Sequence, residues 1–507
     1  MTTRRYSIFA NLRPLGLLTL LVFPVGAQTT STQFASLARL DWPTDASQSS
    51  NIDAADIDLD GDMDLVVSRF GSTSPLRLLM NDGRGNLSDV SATNLPTLAV
   101  SAAWRVRFAR LDRDPWPDLV IVGGGQTQVL LNTRIGGKFT DVTATNVPMH
   151  SYTHYGLDVG DVDGDGDIDL VLAANSTTNH EVFLNDGLGK FTRATAPTVP
   201  MANLWGATLV DVDGDKDLDC FFANSGAGGQ VLVINDGKGL FKDESALRLP
   251  TVGGACREII ALDVDRDGDL DAWCAMYNGQ DVLFINNGLG TFKDETAARV
   301  PMLATGSYGG CAYDVDEDGD TDVVICSWSG SSTELVRLYL NDGRGTFSTA
   351  TTRMPSTSLN ALDAVPVDID SDNDLDLAYA HWGAQDGAYY NLQGQIHAVN
   401  APTVGQTWNF DVYAQPGFAT SPQVGTIFLG VGELKPRWST PWGRLGILPP
   451  LFDGPGFLIP PPGGKTTIPI SVPNQASLRG VQLWWQGLHV HAPIDVRLTN
   501  VWFETIQ

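Results

Sequence analysis

Positive charge is scarce in this chain: 32 Lys and Arg stand against 59 Asp and Glu, for a formal charge of -27. A surface so short of cations cannot neutralise phosphates, which excludes nucleic acid as a partner. Cysteine is rarer still. The five, Cys220, Cys256, Cys274, Cys311 and Cys326, are an odd number, so an exported chain keeps at least one unpaired. Cys311 and Cys326 flank one acidic loop at nearly equal distances and are the best candidates for a disulfide; buried thiols are the alternative. The repeat region lacks sustained helical periodicity. Hydrolase and nucleotide motifs are missing too, with no G-x-S-x-G, no H-E-x-x-H and no phosphate-cradling loop. The close histidine pairs, His150 with His154 and His489 with His491, have too few other ligands nearby to argue for a transition metal.

Long apolar runs are absent beyond the N-terminus, so no later segment can span a bilayer. At the N-terminus, Arg4 and Arg5 precede an apolar run from Leu15 to Val25, and Val25-Gly26-Ala27 offers a small-residue cleavage site. Residues 1–27 therefore read as a signal peptide, with a mature chain from near Gln28 that is secreted or held at the cell surface.

What the chain has in abundance is repetition. An acidic loop recurs seven times, starting at Asp56 (DIDLDGDMD), Arg110 (RLDRDPWPD), Asp161 (DVDGDGDID), Asp211 (DVDGDKDLD), Asp263 (DVDRDGDLD), Asp314 (DVDEDGDTD) and Asp368 (DIDSDNDLD). The intervals run from 50 to 54 residues. A second motif follows in phase, as NDGLGKF at Asn185 or NDGRGTF at Asn341, with looser forms at Asn132 and Asn391. Asn-Asp-Gly suits turns that need positive φ, and short β-rich runs such as Leu170–Leu172 flank the loops. Units of about 50 residues accommodate four short strands, the size of a propeller blade. The expected fold is all-β: a seven-bladed β-propeller over residues 28–394, followed by a small β-sandwich.

Alternating aspartates have a chemical reason. Residues one, three, five and nine of a tight loop can turn their carboxylates to one centre, and residue seven can add a carbonyl, a hard oxygen set of the kind calcium accepts. Carboxylates this close repel strongly without a cation. The candidate ligands are Asp56, Asp58, Asp60 and Asp64; Asp161, Asp163, Asp165 and Asp169; Asp211, Asp213, Asp215 and Asp219; Asp263, Asp265, Asp267 and Asp271; Asp314, Asp316, Asp318 and Asp322; and Asp368, Asp370, Asp372 and Asp376. Residue twelve is Val67 in the first loop and Leu172 in the third, where an EF-hand needs a bidentate Glu, so that motif is rejected.

The form D-x-D-x-D-G-D-x-D-L followed by N-D-G-x-G-x-F resembles the FG-GAP/VCBS repeats of integrin α-chain propellers and many secreted bacterial proteins. The resemblance covers about 360 residues and implies seven blades with calcium in the acidic loops. The second loop departs from it, with Arg110 in place of the first carboxylate and Pro115 where Gly usually stands. About six calcium sites are expected, with none in the second blade, where the Arg110 guanidinium would pair with Asp112, Asp114 or Asp118 as an internal cation. The fourth loop, with Lys216 at its sixth position, is expected to bind weakest.

Composition changes after Gly394. Residues 395–507 hold 14 of the 28 prolines and six of the 13 tryptophans, with six basic and five acidic residues. Apolar runs such as Trp408–Val412, Thr426–Val431 and Val481–Trp485 read as strands, and Trp484, on the face opposite Trp485, is a candidate for packing or for stacking on a sugar. With no catalytic constellation, the chain reads as a binding or adhesion protein for extracellular glycans or proteins. The alternatives are a lyase-like polysaccharide enzyme and a structural surface component. Exposed tryptophans at Trp205, Trp328 or Trp382 would favour binding, although inter-blade packing also accounts for them.

Overall fold

The computed structural model describes most of residues 48–391, together with Phe34–Ala35 and the strand backbones between residues 396 and 505. Residues 1–33, 36–47, 72–73, 84, 99–101, 175, 177–179, 195–202, 227, 304–305, 317–318, 329–335, 356–359, 370–374 and 392–395 lie outside the description, as do all side chains beyond residue 391. The expected signal peptide therefore falls outside it, as do Asp318, Asp370 and Asp372 and the side chains of Trp484, Trp485, His489 and His491.

The repeats fold as seven four-stranded antiparallel sheets, the blades of a β-propeller. In the third blade, His154–Gly160, Asp169–Ala174, Glu181–Asn185 and Phe191–Arg193 succeed one another from the centre outward. Blades one to six are contiguous in sequence. The seventh takes its outer strand from the other end of the chain, as Phe34–Ala35 pairs with Tyr390 and Asn391. Each innermost strand contacts that of the next blade, and Ala361–Val367 contacts Gln48–Ala55, which closes the ring. One-turn helices such as Thr143–Asn146 and Thr296–Arg299 are the longest among the described residues, and no helix there is long and apolar enough to cross a membrane.

The core lies between blades. All six residues of Asp169–Ala174, Asp219–Asn224 and Asp271–Met276 are buried, because both faces of a second strand are covered by neighbouring sheets. One apolar cluster joins Val171 and Val182 of blade three to Phe222 and Val231 of blade four. The cysteines belong to these layers. All five are unbridged, and Cys311 lies opposite Val324 rather than Cys326, because the ladder closes at Tyr313 and Asp322, two residues from Cys311 but four from Cys326. The expected Cys311–Cys326 disulfide is thus corrected to thiols packed as small apolar groups, with burial raising those of Cys220, Cys256, Cys311 and Cys326 well above the usual thiol range.

Chain contacts divide the protein into two compact units, one holding residues 38–370 and 376–389, the other residues 1–37, 371–375 and 390–507. In the second unit, Thr407–Tyr413 pairs with Ile396–Ala398 and Lys465–Ser471. Gln423–Gly430 pairs with Gln482–His491, which continues to Asp495–Leu498 and Trp502–Thr505.

Candidate functional site

Each acidic loop joins the innermost strand of a blade to the second strand, so the loops share one face of the ring. The first aspartate closes its loop: Asp161 accepts the N–H groups of Gly164 and Gly166, and Asp263 those of Arg266 and Gly268. The ninth ties the loop to the second motif. Asp169 Oδ2 accepts the N–H of Val162 at 2.9 Å while Oδ1 accepts that of Asn185 at 2.7 Å. The pattern repeats at Asp64, Asp118, Asp219, Asp271 and Asp322. It holds in the second blade, so the ninth aspartate has a structural duty of its own, and that bonding explains why the two sequence motifs stay in phase.

The asparagine of the second motif does more than turn the chain. Asn185 Nδ2 donates to Leu111 O of the preceding blade at 2.9 Å, and Asn132, Asn235, Asn286 and Asn341 make the same bond to Ile57, Val162, Val212 and Val264. Asn81 reaches Ile369 of the seventh blade at 2.8 Å, so the stitching runs through the point of closure. Reading Asn-Asp-Gly as a turn signal missed this role, because the partner carbonyl lies in another repeat.

In loops one, three, four and five, residues one, three and nine bring carboxylate oxygens within 4.8 Å of one another, as at Asp56, Asp58 and Asp64 or Asp263, Asp265 and Asp271. These groups could hold a metal ion. The third aspartate supplies the test of fit: Oδ1 of Asp58, Asp163, Asp213 and Asp265 is buried and accepts no hydrogen bond. An oxygen withdrawn from water without a donor is costly unless a cation meets it. Burial raises the carboxyls of Asp58, Asp163 and Asp265, and the neighbouring aspartates add to it. Burial pushes Asp64, Asp169, Asp219 and Asp271 up to about 7 against the pull of their backbone bonds. The fifth residues, Asp60, Asp165, Asp215 and Asp267, lie exposed at the rim. In blades four to six an arginine approaches the third aspartate, as Arg248 to Asp213, Arg299 to Asp265 and Arg353 to Asp316.

The second loop does contain a cation among its carboxylates, but its source corrects the expectation. Arg134, in the turn after Asn132, bonds Asp114 and reaches Asp112 at 3.4 Å, whereas Arg110 is exposed and makes no ion pair among the described residues. The carboxylates that Arg110 would meet are already engaged, Asp112 and Asp114 by Arg134 and Asp118 by the N–H groups of Leu111 and Asn132. Pro115 leaves this loop with positive φ only at its fourth residue, Arg113 (64°), where loops one and five have it at both the fourth and the sixth, Leu59 with Gly61 and Arg266 with Gly268. Lys216 does adopt the left-handed conformation, at 77°.

His150 and His154 lie close together and face Glu181, at 4.0 and 3.6 Å from its Oε2. Three potential ligands thus meet, but Thr127 N donates to His150 Nε2 at 3.0 Å, so the neutral ring carries its proton on Nδ1, the nitrogen nearer Glu181. Burial pushes His150 down to about 4, and Arg193 bonds the other Glu181 oxygen. His150 Nδ1 and Glu181 Oε2 are buried without a hydrogen-bond partner, and the three residues could hold a metal ion only if the His150 proton left Nδ1.

The opposite face carries a different feature. Every innermost strand has a β-bulge at its start, and the extra residue turns into the channel: Ser50, Trp104, Tyr155, Trp205, Arg257, Tyr308 and Leu362. These seven line a shallow concavity continuous with solvent. Glycines let the strands converge: a Cβ on Gly156 would stand 2.8 Å from Trp205 O, and one on Gly206 3.0 Å from Arg257 O. The rings touch in series, Trp104 to Tyr155 at 4.9 Å, Tyr155 to Trp205 at 4.7 Å and Trp205 to Tyr308 at 6.0 Å, and Trp328 and Trp382 extend the series at its ends. Trp205, Trp328 and Trp382 are thus half-buried around the mouth. Arg257 lies over Trp205 at 3.6 Å and Tyr277 at 4.4 Å. Below the mouth, Arg105 holds both oxygens of Glu258, and Asp363 accepts bonds from Asn51 and Ile52.

A family model described as an FG-GAP-like repeat matches residues 56–120, 110–172, 161–222, 211–274, 263–325 and 314–379. No curated protein matches the chain. Among solved structures, an ancestral GH74 enzyme matches at 10% identity and TM-score 0.42, over 93% of this chain and 63% of that one. The Nup170 N-terminal domain of Chaetomium thermophilum, in complex with Nup53, matches at 10% identity and TM-score 0.38, over 68% of this chain and 59% of the other. The NanB sialidase of Streptococcus pneumoniae matches at 11% identity and TM-score 0.34, over 71% of this chain and 70% of that chain. The chain spans less than two thirds of the first two.

Proposed function

The chain belongs to the FG-GAP-like repeat family, and from that premise we propose that it is a calcium-stabilised, extracellular binding module that takes its ligand at the aromatic mouth of the channel. On this reading the acidic loops are structural. Calcium is held by residues one, three, five and nine of six loops, and the second blade relies on Arg134 instead. Residues 1–27 direct export, and residues 395–507 form a separate β-domain.

The observation that carries the reading is the convergence of seven bulge residues, four of them aromatic, on one concavity. Half-buried aromatic rings with a few fixed polar groups suit a glycan or a protein side chain. The enzymatic alternative needs a base in the same place. Burial pushes Tyr308 up to about 12 even beside Arg257, so the phenol keeps its proton at neutral pH. Of the carboxylates nearby, Glu258 gives both oxygens to Arg105, and Asp363 lies below the mouth with Oδ2 accepting from Asn51 and Ile52.

The test is a glycan and cell-surface binding screen of the mature protein, with and without calcium, repeated with Trp205→Ala and Trp104→Ala. Calcium-dependent binding that both substitutions weaken is expected. Binding untouched by either change, or cleavage of a bound polysaccharide, would sink the reading.

A further inference from the structure

Arg257 is a cation without an acid. The buried arginines Arg77, Arg105 and Arg337 lie beside Asp89, Glu258 and Asp281. Arg257 makes no ion pair among the described residues, and its Nε is buried without an acceptor. Trp205, Tyr277 and Tyr308 surround it instead, at 3.6, 4.4 and 5.5 Å from the guanidinium carbon. The desolvated charge holds its pKa below the ordinary guanidinium value, opposed by tyrosines and a cysteine rather than by any carboxylate among the leading causes. Glu258 follows directly in sequence, yet both its oxygens are taken by Arg105.

We propose that the channel mouth recognises a carboxylate-bearing sugar, a uronate or similar acidic residue of a polysaccharide, with Arg257 as the carboxylate receptor and the neighbouring rings as the stacking surface. The proposal rests on the binding reading above and narrows its ligand class. A guanidinium held over an aromatic face, as Arg257 is at 3.6 Å over Trp205, can still use its in-plane N–H groups to grip a carboxylate in two bonds. Tyr155 and Trp104 continue the aromatic surface from Trp205, where the C–H face of a sugar ring can lie.

The acidity of the chain does not oppose this. Trp205 is the second residue of the strand Leu204–Val210, and Asp211 follows its end, so mouth and acidic loops lie at opposite ends of this strand. That is about 20 Å of strand, well beyond the screening length of about 8 Å at physiological salt.

The experiment is calorimetric titration of the calcium-loaded mature protein with galacturonate, glucuronate and mannuronate trisaccharides beside their carboxyl-reduced forms. Arg257→Gln, Arg257→Lys and an oligoglutamate peptide complete the set, and calcium-dependent melting checks that each variant folds. At least one uronate is expected to bind, with affinity falling about 10- to 100-fold on carboxyl reduction or in Arg257→Gln. Arg257→Lys should recover part of the loss, because charge returns without the planar fork. Equal binding of acidic and reduced sugars overturns the carboxylate assignment and leaves the binding reading standing. Preference for the peptide overturns the sugar. Silence of every ligand, neutral ones included, overturns both.

Discussion

Arg105 and Glu258 meet across the channel through hydrogen bonds of 2.9 and 2.8 Å, although 153 residues separate them. The pair joins the second blade to the fifth, nearly opposite in the ring, and both side chains are largely buried. Breaking it strands a charge: Glu258→Gln or Arg105→Met should cost about 3–5 kcal/mol in urea unfolding. Replacing both with Met and Leu should recover most of that, since the pair's own net contribution is small. Equal losses in the single and double variants would show that the site cannot tolerate an apolar throat.

Asp363 lies beside this pair, and burial, then Glu258, raises its pKa. A raised carboxyl contributes stability that is complete below the unfolded value of 3.8 and is lost as pH rises through the folded value. Asp363→Asn keeps the acceptor for Asn51 and Ile52 without the proton. The variant should therefore gain on the wild type as pH climbs from 5 to 8, read as the difference in melting temperature. A constant difference would contradict the assignment.

Asn185 tests the inter-blade stitch. Asn185→Ala removes donors to Leu111 O and Ile168 O and should cost about 1–3 kcal/mol, because both bonds are at least partly shielded from water. Asp186→Ala, one residue on in the same turn but exposed, should cost clearly less in the same urea titration.

Calcium should stabilise the protein in a pH-dependent way. At a hundredfold excess over Kd, each occupied site adds about 2.7 kcal/mol. Without metal, carboxyls such as Asp169 and Asp219, raised to about 7, favour the fold when protonated, so that contribution fades as pH rises from 4 through 7. Calcium competes for the ionised forms. The gain in melting temperature over chelator should be large at pH 8 and small at pH 5. A gain that does not change with pH, or no gain, would count against metal in these loops.

The second blade should take no calcium, so metal analysis should find one ion fewer than there are loops. Arg110→Asp with Arg134→Ala and Pro115→Gly restores the first carboxylate, removes the internal cation and frees the sixth residue, and should add one ion per chain. Unchanged stoichiometry would show that some other feature closes this loop to metal.

Much of the architecture was legible because both motifs act locally and in register. The alternating aspartates at Asp161–Asp169 recur in six of the seven units and the turn at Asn185 in five, and a unit that repeats seven times with four short strands has few ways to bury its faces. The departure at Arg110 was legible as a lost carboxylate. Its replacement was not, since Arg134 stands a strand pair away and only the folded turn brings it to Asp112 and Asp114. The Cys311–Cys326 expectation failed for a related reason: the ladder closes at Tyr313 and Asp322, so Cys311 lies two residues from the loop and Cys326 four, and nearly equal spacing in sequence does not make them face each other.

By itself the sequence determined the repeat, the all-β class and the clustering of carboxylates that a cation would relieve, because each depends on neighbours within a dozen residues. Tertiary structure alone decided what the channel presents. Trp104, Tyr155, Trp205, Arg257 and Tyr308 share no motif and lie about 50 residues apart, and they become one surface only because each sits on the bulge of an innermost strand and closure of the ring points all of them at the same axis.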